Sequence, residues 1–356
     1  MPRPRPDAAS LAAAAELIAT ARRPMIVAGG GVVYSDAADA LDGFVSRFDV
    51  PFTETQAGKG ALPWDHPMNM GAIGSSGTSA GNAVAHDADV VIAVGTRLSD
   101  FPTMSWSAWQ HPDVRFVAIN VAELDAAKAA ALPLVGDARE TLTELHAVLD
   151  ARGWGGVGAE RRERIATLRS AWHEESTRVL HLAAETHVSQ PEAIRLVNEA
   201  LGDDGIVVCA AGGLPGDMHK LWRPATRGSY HMEYGNSTMG YEIAGGIGVA
   251  MAEPERRVHV MVGDGSYLML ANEIMTARQE GVGLTIVLLD NHGYRCIRNL
   301  SDACGAVNPF NDFRARDPET GTFTGEAVSY THLRAHETNE SISYAVFCLK
   351  MGGGGG

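Results

Sequence analysis

Gly263-Asp264-Gly265-Ser266 closes the apolar run Val258-His259-Val260-Met261-Val262, and 25 residues (266–290) separate Gly265 from Asn291-His292-Gly293. The β-branched run predicts a buried strand that stops at Gly263. Gly263 and Gly265 let the backbone turn sharply and approach a ligand closely. From Ser266 the apolar positions Tyr267, Leu270, Ala271 and Ile274 recur with a helical period, which predicts a helix starting near Ser266. Residues 284–289 predict a second strand that delivers Asp290 and Asn291 to its end. Asp264 and Asn291 then lie at the carboxyl ends of two parallel strands, where open α/β sheets bind their ligands. A carboxylate, a carboxamide and the Gly293 carbonyl are hard oxygen donors of the kind Mg²⁺ takes, usually together with substrate phosphates. The helix start offers free N–H groups and the positive end of a dipole to a diphosphate. Asp264, Asn291 and Gly293 are therefore candidate metal ligands, and Gly263, Asp264, Gly265 and Ser266 candidate diphosphate contacts.

Working outward, the rest of the chain repeats the same grammar. Residues 11–21 are Ala-rich and helical, Pro24 to Ala28 is a strand, and Gly29-Gly30-Gly31 closes it. A helix over 37–48, strands over 89–95 and 114–120, and a helix over 138–149 follow. Alternating β and α elements predict doubly wound parallel sheets, so the fold class is α/β with two such domains. The triple glycine lacks G-x-G-x-x-G spacing and reads as a structural turn. Ser189-Gln190-Pro191-Glu192 is a capping box that opens a second domain. The expected organisation is a linker remnant over 1–6, a middle domain over 7–153, a linker and connecting helix over 154–188, and a diphosphate-binding domain over 189–327. Beyond Asn299 the chain reads as loop.

With 29 basic and 43 acidic residues the net charge is -14, and no basic stripe is present, which argues against nucleic acid. No apolar run reaches membrane-spanning length, and no signal-peptide core opens the chain. Cys209, Cys296 and Cys304 show no Cys-x-x-Cys spacing and suit a reducing, cytoplasmic compartment.

Gly-Asp-Gly, 25 residues and then Asn resembles the thiamine-diphosphate fingerprint of the acetolactate synthase and pyruvate decarboxylase superfamily. Ser237-Thr238-Met239-Gly240 resembles the family element in which a bulky side chain props the cofactor into its bent shape. That resemblance implies that Met239 is the wedge and that the Ser237 carbonyl faces the aminopyrimidine. Met218-His219-Lys220-Leu221-Trp222 is similar to a diphosphate-contacting loop, with His219 as the contact. His231 and His292 read as structural, although both are placed to line a polar pocket. The wording of Ala211-Gly212-Gly213-Leu214-Pro215-Gly216-Asp217, His231-Met232-Glu233-Tyr234-Gly235, Gly240-Tyr241-Glu242-Ile243-Ala244-Gly245-Gly246 and Asp290-Asn291-His292-Gly293-Tyr294 resembles that of the trihydroxycyclohexane-1,2-dione hydrolases of myo-inositol catabolism. Acetolactate synthases usually have Phe-Gly-Leu-Pro at residues 241–244.

The resemblance implies thiamine diphosphate and Mg²⁺ as cofactors, a polyhydroxylated cyclic 1,2-diketone as substrate, hydrolytic ring opening as the reaction, and a homo-oligomer. It also implies an N-terminal domain carrying the glutamate that activates the cofactor. No acidic residue of this chain takes that catalytic role, so the chain alone is expected to be silent. An acetolactate-synthase-like carboligase or decarboxylase, and a non-catalytic nucleotide-binding or scaffolding module, stay open as alternatives. Residues 328–338 and 342–349 resemble translated sequencing adapter and primer, and Gly352 to Gly356 a run of G base calls. Residues 328–356 are therefore excluded from fold reasoning as an artefact.

Overall fold

A computed structural model describes residues 2–182, 188–306, 309–327 and 344–350. The chain divides into two compact units. The first comprises residues 1–177 and 223–228, and the second residues 178–222 and 229–356.

The first unit is a six-stranded parallel sheet of β1 (Pro24–Ala28), β2 (Phe52–Glu54), β3 (Asn69–Ala72), β4 (Val90–Val94), β5 (Arg115–Asn120) and β6 (Leu132–Val135). Its order is β3-β2-β1-β4-β5-β6, so the winding reverses between β1 and β4. Every residue of β1 and β4 is buried, as a strand covered on both faces requires. The helices Ala8–Thr20 and Ala138–Ala151 start where Asp7 and Asp137 accept the first free N–H groups. The triple glycine is a close-approach turn, because a side chain on Gly31 would meet Gly95 Cα at 2.5 Å. The Gly31 N–H donates to the Gly95 carbonyl at 2.9 Å.

Trp154 and Val157, at the start of the stretch expected as a linker, pack against this unit. The Val157 N–H donates to the Phe48 carbonyl at 3.0 Å. Trp154 lies against the Phe48 ring with centroids 4.8 Å apart. The helix Ala159–Leu180 then sets Ile165, Leu168 and Trp172 on the same core. Six glycine-rich residues gave no hint of burial because one aromatic side chain supplies the anchor.

The second unit contains β7 (Ile206–Cys209), β8 (Tyr230–Met232), β9 (Val258–Gly263) and β10 (Leu284–Asp290), in the order β8-β7-β9-β10 and all parallel. Here the winding reverses between β7 and β9. The helix Gln190–Leu201 begins at the capping box, with the Ser189 hydroxyl accepting from the Glu192 N–H at 3.2 Å. The helix Tyr241–Ala252 comes close enough to β9 that a Cβ on Gly246 would meet Val260 at 2.3 Å. Two elements differ from expectation. Residues 264–279 form two short helices, Asp264–Leu270 and Glu273–Gln279, rather than one. Beyond Asn299, where loop was expected, the helix Arg295–Ala303 continues to its end and an antiparallel pair follows, β11 (Arg314–Arg316) and β12 (Phe323–Ala327). None of that helix's side chains is buried within the described residues, and its apolar positions Ile297 and Leu300 face outward.

Within the expected artefact, β13 (Tyr344–Lys350) pairs in parallel with the free edge of β10. The sequence resemblance concerns where this segment comes from. Its pairing has a separate cause, since an apolar heptapeptide lacking Gly and Pro satisfies an exposed parallel edge. The adapter-like 328–343 and the terminal glycines lie outside the described residues. Among the described residues no helix is long and apolar enough to cross a membrane. Among the described residues Cys209, Cys296 and Cys304 take part in no disulfide, and Cys209 lies in the core of β7.

Candidate active site

Asp264 is the first residue of the helix after β9, capped by Gly263, and it is 1% exposed. Its Oδ1 accepts the Gly265 N–H at 2.9 Å, and its Oδ2 accepts the Gly293 N–H at 2.7 Å. The helix therefore starts two residues earlier than the apolar period indicates, and the carboxylate sits within its first turn. After β10 the chain turns back through His292 and Gly293, at φ 63° and 143°. A side chain on Gly293 would meet the Asn311 carbonyl oxygen at 2.1 Å, so only glycine fits.

That turn brings three oxygens together. The Asn291 Oδ1 position lies 2.9 Å from the Gly293 carbonyl oxygen and 3.3 Å from Asp264 Oδ1. An Asn291 oxygen there faces two acceptors and calls for a cation between them, whereas the amide turned with its NH₂ inward donates to both. Oxygens at about 2.1 Å from an octahedral Mg²⁺ are about 3 Å from their neighbours, so this donor set fits the ion. Asp290 Oδ2 is also buried with no donor among the described residues. Burial, and then the charge of Asp290, push the Asp264 carboxyl up from 3.8 to about 7, against the Gly293 hydrogen bond. A cation at the convergence would favour the ionised form.

Around this cluster, Ser266 is buried, and its hydroxyl donates to Glu242 at 2.7 Å while accepting the Gly240 N–H at 2.7 Å. Met239 reaches over the turn, with its Cε 3.6 Å from the place a Gly265 Cβ would take. That same Cβ would strike the Tyr294 ring at 2.7 Å, so Gly265 is fixed by packing as well as by conformation. Ser237 is exposed and left-handed at φ 51°. His219 is buried on the helix Leu214–Leu221 that follows β7. His231 Nε2 lies 2.6 Å from the Tyr241 hydroxyl, with the rings stacked, and burial lowers its pKa.

Sequence reasoning passed over Glu242. The signal was there: Glu242 and Gly246 are four residues apart on one helix face, and the glycine marks the face turned to the sheet.

Residues 11–145 match the family described as thiamine pyrophosphate enzyme, central domain, and residues 210–337 match the thiamine pyrophosphate enzyme C-terminal TPP binding domain. The chain belongs to the thiamine pyrophosphate enzymes. Among similar proteins of this family, a 3D-(3,5/4)-trihydroxycyclohexane-1,2-dione hydrolase of Clostridium botulinum is 40% identical over 344 residues, covering 90% of this chain and 53% of that protein. The protein of the same name from Clostridium perfringens is 41% identical, covering 88% and 52%. A third, from Geobacillus thermodenitrificans, is 40% identical, covering 97% and 56%. The chain thus spans about half the length of the curated relatives it matches. The matched C-terminal family contains the entire oxygen cluster and Met239, and the matched central family contains the six-stranded sheet.

Proposed function

We propose that this chain is the cofactor-holding part of a thiamine-diphosphate- and Mg²⁺-dependent hydrolase that opens the ring of a polyhydroxylated cyclic 1,2-diketone. The observation that carries the proposal is the meeting of the Asn291 side-chain amide with Asp264 Oδ1 and the Gly293 carbonyl oxygen at the ends of two adjacent parallel strands, inside the region similar to the TPP binding domain. In this reading those three groups hold Mg²⁺ on the diphosphate. Gly263, Gly265 and Ser266 supply close backbone approach, Met239 supports the cofactor's bend, the Ser237 carbonyl faces its aminopyrimidine, and His219 contacts the diphosphate. Bound thiamine diphosphate supplies a nucleophilic carbon and an electron sink for breaking the bond beside a carbonyl. The chain's own contribution is orientation and a low-dielectric cradle.

The names of the relatives support the substrate class, as does Tyr241-Glu242-Ile243-Ala244 at the glycine-rich turn. Cysteines outside any disulfide among the described residues support a cytoplasmic location. Exposed Leu268, Met269, Met275, Ile297 and Leu300 on successive helices of the second unit support burial against another subunit. In a protein that carries this chain at the full length of its relatives, the test is turnover of the cyclic dione against pyruvate. Ring opening with uptake of water and no pyruvate consumption is expected. Pyruvate turnover without ring opening would assign the chain to carboligases or decarboxylases instead.

A further inference from the structure

Glu242 is the second residue of the helix Tyr241–Ala252 and is 1% exposed. Its carboxylate acts purely as an acceptor. One oxygen takes the Ala211 N–H at 3.2 Å; the other takes the Gly240 N–H at 3.1 Å and the Ser266 hydroxyl at 2.7 Å. These donors come from three different connections. Ala211 follows β7, Gly240 precedes the helix that leads to β9, and Ser266 follows β9. Because β7 and β9 flank the point where the winding of the sheet reverses, one buried side chain ties together the loops on both sides of the crevice. A buried carboxyl is costly unless its oxygens are satisfied, and every donor here is positional: each fixes a loop that carries a cofactor candidate. Gly240 adjoins Met239, and Ser266 adjoins Gly265.

We infer that Glu242 is a positioning residue that locks the Met239–Gly240 turn and the Ser266 hydroxyl across the crevice in the geometry that receives the cofactor, an inference that rests on the thiamine-diphosphate reading above. Glu242 need not touch the cofactor. It acts through Ser266 and through the backbone of residues 239–240. Glutamine has the same shape but presents an NH₂ to one set of N–H donors, so Glu242→Gln breaks at least one arm of the bridge while Ser266→Ala removes another.

The test is a double-mutant cycle on the affinity of the 356-residue chain for thiamine diphosphate with Mg²⁺, measured by titration calorimetry, with amide exchange at Ala211 and Gly240 recorded in the ligand-free proteins. Glu242→Gln is expected to weaken affinity by roughly tenfold to a hundredfold, as for loss of hydrogen bonds to a charged group. It should also speed exchange at both amides. Ser266→Ala should weaken affinity less, and the double variant should be no weaker than Glu242→Gln alone. Should Glu242→Gln fail to fold, Ser266→Ala carries the test, since it must both lose affinity and expose the Gly240 amide. Affinity within twofold of the unaltered chain in either variant, or a double variant whose loss is the product of the two single losses, overturns the inference. No binding by the unaltered chain would remove the cofactor reading and the role of Glu242 with it, whereas binding indifferent to Glu242 removes this inference alone.

Discussion

The backbone N–H of Gly293 donates to Asp264 Oδ2 at 2.7 Å, joining the ends of β9 and β10. The two strands are registered with Leu289 beside Gly263, so the distance between Asp264 and Asn291 is set by the sheet and not by loop chance. Asp264→Asn keeps that shape and removes the charge. Mg²⁺-dependent affinity for thiamine diphosphate is expected to fall at least about tenfold, measured by calorimetry, because a hard divalent ion loses its one carboxylate ligand.

The same carboxyl sets a pH dependence. Its folded-state pKa is raised from 3.8 to about 7, chiefly by burial, so its contribution to stability is full below 3.8 and is lost as pH rises through about 7. Without Mg²⁺, thermal melting should therefore show Asp264→Asn gaining on the unaltered chain between pH 4 and pH 8. Added Mg²⁺ should raise the unaltered chain's midpoint at pH 8 and scarcely at pH 5, since binding needs the ionised form. An Mg²⁺ effect of equal size at both pH values would contradict this.

Gly293→Ala forces a side chain into a φ of 143° and against the Asn311 carbonyl oxygen at 2.1 Å. A cost of about 1–3 kcal/mol in denaturant unfolding is expected. Loss of the Mg²⁺ response should accompany it, because the carbonyl ligand moves with the turn. Retention of both stability and Mg²⁺ response would show that the turn does not set the site.

How much of this was legible in the chain depends on whether a residue's role is local or shared. Gly263, Asp264, Asn291 and Gly293 were legible because one strand, one helix and a second strand fix their separation, and β-branched runs reveal buried parallel strands. The short strands β2 and β3 and the exposed helix Arg295–Ala303 were not, since three or four residues carry no period and a nine-residue helix shows too few apolar positions, Ile297 and Leu300, to fix one. Glu242 escaped for a different reason. Its partners Ala211 and Ser266 lie 31 and 24 residues away, and only the assembled sheet brings them to one carboxylate. Trp154 and Val157 were hidden by the glycines around them.

Because Trp154, Gly156 and Val157 pack on Phe48, they should behave as part of the first unit. Gly156 has φ 80°, and a Cβ there would meet the Phe48 carbonyl oxygen at 2.2 Å. Gly156→Val is expected to destabilise the first unit by more than about 2 kcal/mol and to open this stretch to limited proteolysis. In the unaltered chain the stretch should resist cleavage. Rapid cutting there in the unaltered chain would restore the linker reading.

The most direct test of the central claim is anomalous scattering from crystals grown with thiamine diphosphate and Mn²⁺ in place of Mg²⁺. One metal peak is expected at about 2.0–2.3 Å from an Asp264 oxygen, Asn291 Oδ1 and the Gly293 carbonyl oxygen, with the diphosphate completing the shell. A diphosphate bound with its metal elsewhere, and the Asn291 amide turned to donate to Asp264, would contradict it.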